Sequence, residues 1–323
     1  MRAIMATRFG APDVLELHDL PTPEPGAGEL RVAVTVVGVG WLDTLIRRGH
    51  GPSVFAIEPP YIPGGGVAGT VTAVGDDVTT DWLGTKVITR AAGNGYGGGY
   101  ADTVIATADA TFPVPADLDL RSAMAVLDDG STALALLEKT PVHRADRVLV
   151  APGLGGLGNL LVQLLRSAGA EVIAAVRGAD KVAVARNLGV ETVDYAAPDW
   201  PARVRAITDG RGLDVVFDGL GGSVGAAAST LLADGGRFSG YGMSSGTETE
   251  ISAADRQRLT VVDMAQLPEF WAEGPRRVRE VLLAASAGHL VPLIGQTYPL
   301  ADAATAHADI KARRFVGKSL LLP

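Results

Sequence analysis

The run Gly153-Leu154-Gly155-Gly156-Leu157-Gly158 is the stretch of this chain whose residue types and spacing speak most directly of chemistry. An apolar strand, Arg147–Val150, leads into it, a helix leaves it as far as about Ala168, and a second strand follows at Glu171–Val176. In that setting the first glycine allows a tight turn. The middle one lets backbone N–H groups approach a pyrophosphate, and the last lets helix and strand pack closely. The helix N-terminus adds a partial positive charge beneath the phosphates. A lone GxGxxG is a weak signal; the strand–turn–helix–strand context makes this one specific. Where the second strand ends, a carboxylate would hold a ribose 2′-hydroxyl. Here the chain reads Arg177, Gly178 and then Lys181, and Asp180 is read as the start of the next helix. Cations suit a 2′-phosphate, so the residues point to NADPH.

Other chemistries are thinly represented. There is no cysteine, which removes thiolate nucleophiles, disulfides and cysteine-based zinc sites. The five histidines, His18, His50, His143, His289 and His307, form no local metal motif. Gly242-Met243-Ser244-Ser245-Gly246 matches a hydrolase nucleophile elbow, but polar, β-branched TETEIS follows where a helix is required. Gly317-Lys318-Ser319 lacks the earlier glycine and the following helix of a phosphate loop. His50, in the loop after the first helix, could donate a proton to a developing enolate, although an exposed loop histidine is the simpler reading. Asp43 is read as orienting its loop and helix, and Asp128 and Asp129 as helix-end polar residues.

These residues need a scaffold. The chain has 323 residues, enough for about two domains. A net charge of −8 argues against nucleic-acid binding. No apolar run approaches the roughly 20 residues of a membrane span, and the N-terminus has no signal-peptide core. The expectation is a soluble cytoplasmic protein. The first third alternates short β-branched runs (Arg31–Val37, Gly69–Val74, Lys86–Thr89) with Gly/Pro breaks, and holds one helix near Trp41–Arg48. The Gly-rich Gly93–Tyr100 is a loop. A helix over Leu118–Glu138, capped by Asp117 or Asp119, opens an alternation of strands and helices. Strands are expected at Glu191–Asp194, Asp214–Phe217 and Gly236–Tyr241, with helices over Asp180–Leu188, Ala202–Thr208 and Val224–Leu232. This pattern predicts an α/β fold with a doubly wound parallel sheet. Helices over Pro275–Ala287 and Ala301–Lys311 and a strand Gly317–Leu322 close the chain.

The chain resembles the medium-chain dehydrogenase/reductase superfamily, in its zinc-free quinone oxidoreductase branch. The likeness runs through PEPGAGELRVAVTVVGVG, DTLIRRG, PGGGVAGTVTAVG from Pro63, GGGYAD from Gly97 and the glycine turn. It continues with GLDVVFDGLGG from Gly212 and the C-terminal IGQTYPLADAATAHADIKARRFVGKSLLL. It implies a GroES-like β-rich catalytic domain (1–121, completed by 290–323), a Rossmann domain (122–289), an active cleft between them, and a homodimer joined through strands near Phe238 and Val261. Zinc members carry Cys and Gly-His-Glu; here the His-Glu positions are Gly65-Gly66, so no metal is expected and Lewis-acid activation is lost. The implied reaction is hydride transfer from NADPH to a quinone or α,β-unsaturated carbonyl. By resemblance, Arg177, Lys181, Tyr195 and Arg313 hold the 2′-phosphate, the backbone of Gly240, Tyr241, Gly242 and Met243 faces the nicotinamide, and Thr132 lies near it. The family's Gly-Val-Asn reads Gly38-Val39-Gly40, and a frequent Tyr is Leu45, which leaves an apolar pocket bounded by Gly40, Trp41, Leu45 and Tyr61. Two alternatives stay open: an enoyl or dedicated biosynthetic reductase of the same superfamily, and a non-catalytic NADPH-binding sensor or structural protein.

Overall fold

The structure, a computed structural model, describes residues 1–50, 57–92, 97–263 and 272–323. The chain divides into two compact units, Met1–Asp128 with Val278–Pro323, and Asp129–Arg277. Each has a hydrophobic core of its own.

The second unit carries a six-stranded sheet. Its strands are β8 (Arg147–Ala151), β9 (Glu171–Val176), β10 (Glu191–Asp194), β11 (Leu213–Asp218), β12 (Leu232–Gly240) and β13 (Thr260–Asp263). They lie in the order β10-β9-β8-β11-β12-β13, and every pairing is parallel. The continuous apolar runs of β8 and β11 fit central strands buried on both faces. Between the strands run α3 (Gly156–Ser167), α4 (Ala179–Asn187), α5 (Trp200–Ile207) and α6 (Gly222–Ser229), with α7 (Ala253–Arg258) before β13. The chain winds outward from β8 through β9 to β10, then crosses to β11 on the other side. The carboxyl ends of β8 and β11 are therefore the topological switch point, where such sheets bind ligands.

The first unit is built from β1 (Arg2–Ala6), β2 (Leu15–Asp19), β3 (Glu29–Val39), β4 (Gly66–Val74), β5 (Lys86–Arg90), β6 (Thr103–Thr107), β7 (Phe112–Pro113), β14 (Ile294–Pro299) and β15 (Lys318–Leu322). Seven of these form a sheet in which the C-terminal β15 pairs antiparallel with β3, so the tail completes the N-terminal β structure. Helix α1 (Trp41–Arg47) follows β3 directly, and α9 (Ala303–Lys311) packs against it. Helix α2 (Leu120–Lys139) and α8 (Gly274–Ser286) carry residues of both units. No helix among the described residues is long and apolar enough to cross a membrane.

Two local expectations are corrected. The helix expected to reach Leu232 ends at Ser229, because Leu232 already pairs with Leu213 as the first residue of β12. That pairing buries both leucines, which outweighs helix continuation. Asp128 and Asp129 stand in the middle of α2 instead of at a helix end. Of the two cap candidates Asp119 acts: its Oδ1 accepts from the N–H groups of Arg121 at 2.9 Å and Ser122 at 3.0 Å. Part of the glycine loop, residues 93–96, lies outside the described residues.

Candidate functional site

The glycine turn lies at the end of β8, at the switch point. Three of its four glycines do different work, and not all as the sequence suggests. A β-carbon on Gly153 would stand 2.5 Å from Cβ of Ala174, so this residue lets the turn lie against β9 instead of permitting a special dihedral. On Gly158 it would meet the Pro152 carbonyl oxygen at 1.9 Å, so the first turn of α3 sits directly on the incoming chain. Gly155 is different. It caps α3 at φ −73° and ψ 173°, which any residue adopts, and a β-carbon there meets nothing nearer than Pro152 Cγ at 3.7 Å. Neither backbone nor packing within the chain calls for glycine at 155. What glycine leaves there is space above a helix N-terminus whose first N–H groups have no intrahelical acceptor, a cradle fit for a pyrophosphate.

The residues expected at the strand end stand as follows. Arg177 is exposed just beyond β9 and makes no ion pair among the described residues. Tyr195 follows β10, and its N–H donates to Val176 O at 2.9 Å, which brings it beside the Arg177 turn. Lys181 lies half-buried in the first turn of α4. Sequence reasoning missed one group here. Asp194 Oδ1 accepts from the N–H groups of Gly178 and Ala196, each at 2.9 Å, so a carboxylate does stand near the strand end but is engaged by backbone donors.

Across the switch point, Asp218 ends β11 and is buried. Its Oδ1 accepts from Leu220 N–H at 2.9 Å and Gly221 N–H at 3.1 Å, and its Oδ2 accepts the Thr249 hydroxyl at 2.5 Å. Burial pushes this carboxyl above the ordinary carboxylate range, against the pull of those donors. The side chain staples the 219–222 loop to the 241–249 segment. The Tyr241 ring lies against Gly219, where a β-carbon would be 2.4 Å from Tyr241 Cε2, and Tyr241 N–H donates to Asp218 O at 2.8 Å. Burial, then Asp218, raise the Tyr241 phenol, which keeps it neutral. Gly240, Tyr241, Gly242 and Met243 thus extend from the end of β12 beside this staple. An Asp closing an apolar strand before Gly-Leu-Gly-Gly was the available signal. Thr132 is half-buried on α2. The Ser244 segment runs on as loop to α7, without the helix a nucleophile elbow needs.

The residues expected to bound the acceptor pocket lie in the first unit. Gly40 caps α1, and its N–H donates to Asp43 Oδ2 at 2.7 Å, the orienting role expected of Asp43. Trp41 is half-buried and Leu45 is buried. Tyr61 packs on the same core as Trp41, and its buried hydroxyl has no hydrogen-bond partner among the described residues. Its phenol is pushed up by burial and then by Asp43. His50 is exposed beyond α1, and its N–H donates to Leu45 O at 3.1 Å. Arg313 follows α9 with φ 57°, its N–H on Ile310 O. Asp128 pairs with Arg90 at 2.5 Å; burial would raise this carboxyl, but Arg90 and Lys318 hold it low. Among the described residues no group of three His, Asp or Glu side chains could hold a metal ion.

Comparison with known proteins follows the same division. The family model "alcohol dehydrogenase GroES-like domain" matches residues 26–116, and "zinc-binding dehydrogenase" matches residues 156–283. A 2-haloacrylate reductase of Burkholderia is 32% identical over 331 aligned positions, covering 99% of this chain and 98% of the relative. A mycobacterial structure complexed with NADPH is 34% identical with a TM-score of 0.88, both chains covered completely. The quinone oxidoreductase of Escherichia coli complexed with NADPH has a TM-score of 0.89 at 27% identity, again with full coverage of both.

Proposed function

Because the chain belongs to the medium-chain dehydrogenase/reductase superfamily, in its quinone oxidoreductase branch, we propose that this oxidoreductase uses NADPH to reduce a quinone or an α,β-unsaturated carbonyl without a metal. One observation carries the reading. At the switch point, a glycine that the chain does not itself need opens a helix N-terminus, while an exposed arginine follows the next strand, β9, and the carboxylate that ends β10 is already engaged by the backbone beside it.

When bound, NADPH supplies the hydride. The chain's own residues do the rest. The backbone of Gly153, Leu154, Gly155, Gly156, Leu157 and Gly158 holds the pyrophosphate. Arg177, Lys181, Tyr195 and Arg313 hold the 2′-phosphate by charge-assisted hydrogen bonds. Gly240, Tyr241, Gly242 and Met243, braced by Asp218, line the nicotinamide side. Gly40, Trp41, Leu45 and Tyr61 wall the acceptor and exclude water. Charge developing on the acceptor oxygen falls to Thr132, His50 and backbone donors, so proximity and orientation supply most of the acceleration. The domains divide at 1–121 with 290–323 and at 122–289, the enzyme is cytoplasmic, and it dimerises along the β13 edge beside Phe238 and Val261.

The test is a panel of quinones, enones and 2-haloacrylate with NADPH, followed by absorbance of the reduced nicotinamide. Oxidation with at least one class supports the reading. NADPH binding without oxidation across the panel overturns it in favour of a nucleotide sensor. That rival has one observation on its side: the Gly40 N–H is already donated to Asp43, and Leu45 brings no polar atom.

A further inference from the structure

Beneath the Gly40–Leu45 wall lies a buried polar chain to which the proposed reaction assigns nothing. Asp43, Arg47, Tyr100 and His307 are all at most 2% exposed. Arg47 Nε donates to His307 Nδ1 at 3.2 Å, and a second Arg47 nitrogen donates to Gly10 O. Tyr100 Oη lies 2.9 Å from His307 Nε2 and 3.0 Å from Asp43 Oδ2. Asp43 Oδ2 in turn accepts the Gly40 N–H.

The donors fix the direction of this chain. An arginine Nε can only donate, so His307 Nδ1 must accept, and a neutral ring then carries its proton on Nε2. Burial, reinforced by Arg47, pushes the imidazole down to about 3, so it is neutral at working pH. His307 Nε2–H therefore donates to Tyr100 Oη, which passes its own proton toward Asp43. The order Arg47 → His307 → Tyr100 → Asp43 ← Gly40 has one sense only.

Tyr100 also touches the loop before β4. A β-carbon on Gly64, which stands at φ +80°, would lie 2.1 Å from Tyr100 Cδ1. The ring thus packs on Gly64 and meets the His307 ring edge-on at 5.7 Å and 87°. One side chain thus touches both the first turn of α1, through Asp43, and the loop before β4, at Gly64. Buried polar groups of this kind add little net stability over well-packed hydrocarbon. What they supply is one permitted geometry.

We propose that Tyr100, His307 and Asp43 are positioning residues for acceptor reduction, holding Trp41 and Leu45 through the N-cap of α1. The inference rests on the reductase reading above. Tyr100→Phe removes only the hydroxyl. Its acceptor kcat/KM should fall about tenfold, the worth of one buried hydrogen bond. NADPH Kd should stay within about twofold, because every proposed nucleotide residue except Arg313 belongs to the other unit. Hydrogen–deuterium exchange should quicken over residues 40–47 and stay unchanged over 147–176. His307→Gln keeps an N–H donor for Tyr100 and should recover most of the activity that His307→Leu loses. Wild-type kinetics and wild-type exchange at 40–47 in both Tyr100→Phe and His307→Leu overturn the inference. So does failure of both to fold, since the network is then only scaffold. If the wild type reduces no acceptor, the reductase reading fails, and exchange at 40–47 alone decides the network.

Discussion

Gly155 and Gly158 separate nucleotide binding from folding, and replacing each by alanine tests that division. At Gly158 the new carbon would lie 1.9 Å from the Pro152 carbonyl oxygen, more than 1 Å inside the 3.0 Å that real β-carbons respect. The obstacle is backbone on both sides, so α3 must lift from the turn. Overpacking of this kind costs about 1–3 kcal/mol or more. For a unit of this size that lowers Tm by at least about 2–4 °C per kcal/mol. At Gly155 the new methyl meets only Pro152 Cγ at 3.7 Å, and φ is −73°. A compatible Gly→Ala change gains about 0.4–1 kcal/mol by restricting the unfolded chain. Loss of a preferred N-cap residue offsets most of that. The two nearly cancel, and Tm of Gly155→Ala should stay within about 3 °C of wild type. Its methyl, however, fills the space a pyrophosphate needs, and NADPH Kd should rise at least about tenfold. The assay is a thermal melt of each variant with and without NADPH, paired with titration of nicotinamide fluorescence. At 100 Kd the nucleotide should stabilise wild type by about 2.7 kcal/mol. Gly155→Ala should melt like wild type alone and lose most of the shift. Unchanged NADPH affinity in Gly155→Ala refutes the cradle. An unchanged melt of Gly158→Ala refutes the packing argument.

Arg177→Ala should cost NADPH about 1.5–3 kcal/mol and leave NADH binding nearly unaltered; equal affinity of wild type for both nucleotides, by titration, removes the 2′-phosphate assignment. EDTA should leave turnover unchanged, and activity that vanishes on chelation and returns with zinc contradicts the metal-free reaction. His50→Ala should lower kcat by up to ~100-fold if His50 is the proton donor; a pH–rate profile identical to wild type strips it of that role alone. Asp214 is tied to Arg147 by contacts of 2.9 and 3.0 Å; burial would raise its carboxyl, but those bonds outweigh it and hold it below the ordinary range. A depressed carboxyl stabilises the fold above its unfolded value, about 3.9, and that contribution disappears as pH falls through the folded value. Asp214→Asn should therefore cost stability to urea at pH 7 and much less near pH 2–3; an equal loss at both contradicts the linkage.

Much of this protein is legible in its sequence where neighbours in the chain are neighbours in space. The turn from Gly153 to Gly158 is such a case, since strand, glycines and helix form one continuous segment. The strand Glu171–Val176 is another, because an apolar run between turn residues fits a buried parallel strand. The cation in place of a strand-end carboxylate at Arg177 is likewise a local feature, and so is the absence of cysteine.

Only the tertiary structure decided the rest. That Gly153 serves packing and Gly155 serves empty space depends on where Ala174 and Pro152 come to lie. That Asp194 is engaged depends on a bond to a residue 16 positions away. The buried chain beneath α1 joins Tyr100 to Asp43 across 57 positions and Arg47 to His307 across 260. No periodicity marks such a contact. A histidine in an Ala-rich helix and a tyrosine after a glycine loop look ordinary until the C-terminal tail returns to the N-terminal sheet. Sequence pattern reports which side chains avoid water, because that is a property of each residue and its near neighbours. Which polar groups then find one another inside is set by the closure of long loops, and one amino-acid sequence read locally carries no record of it.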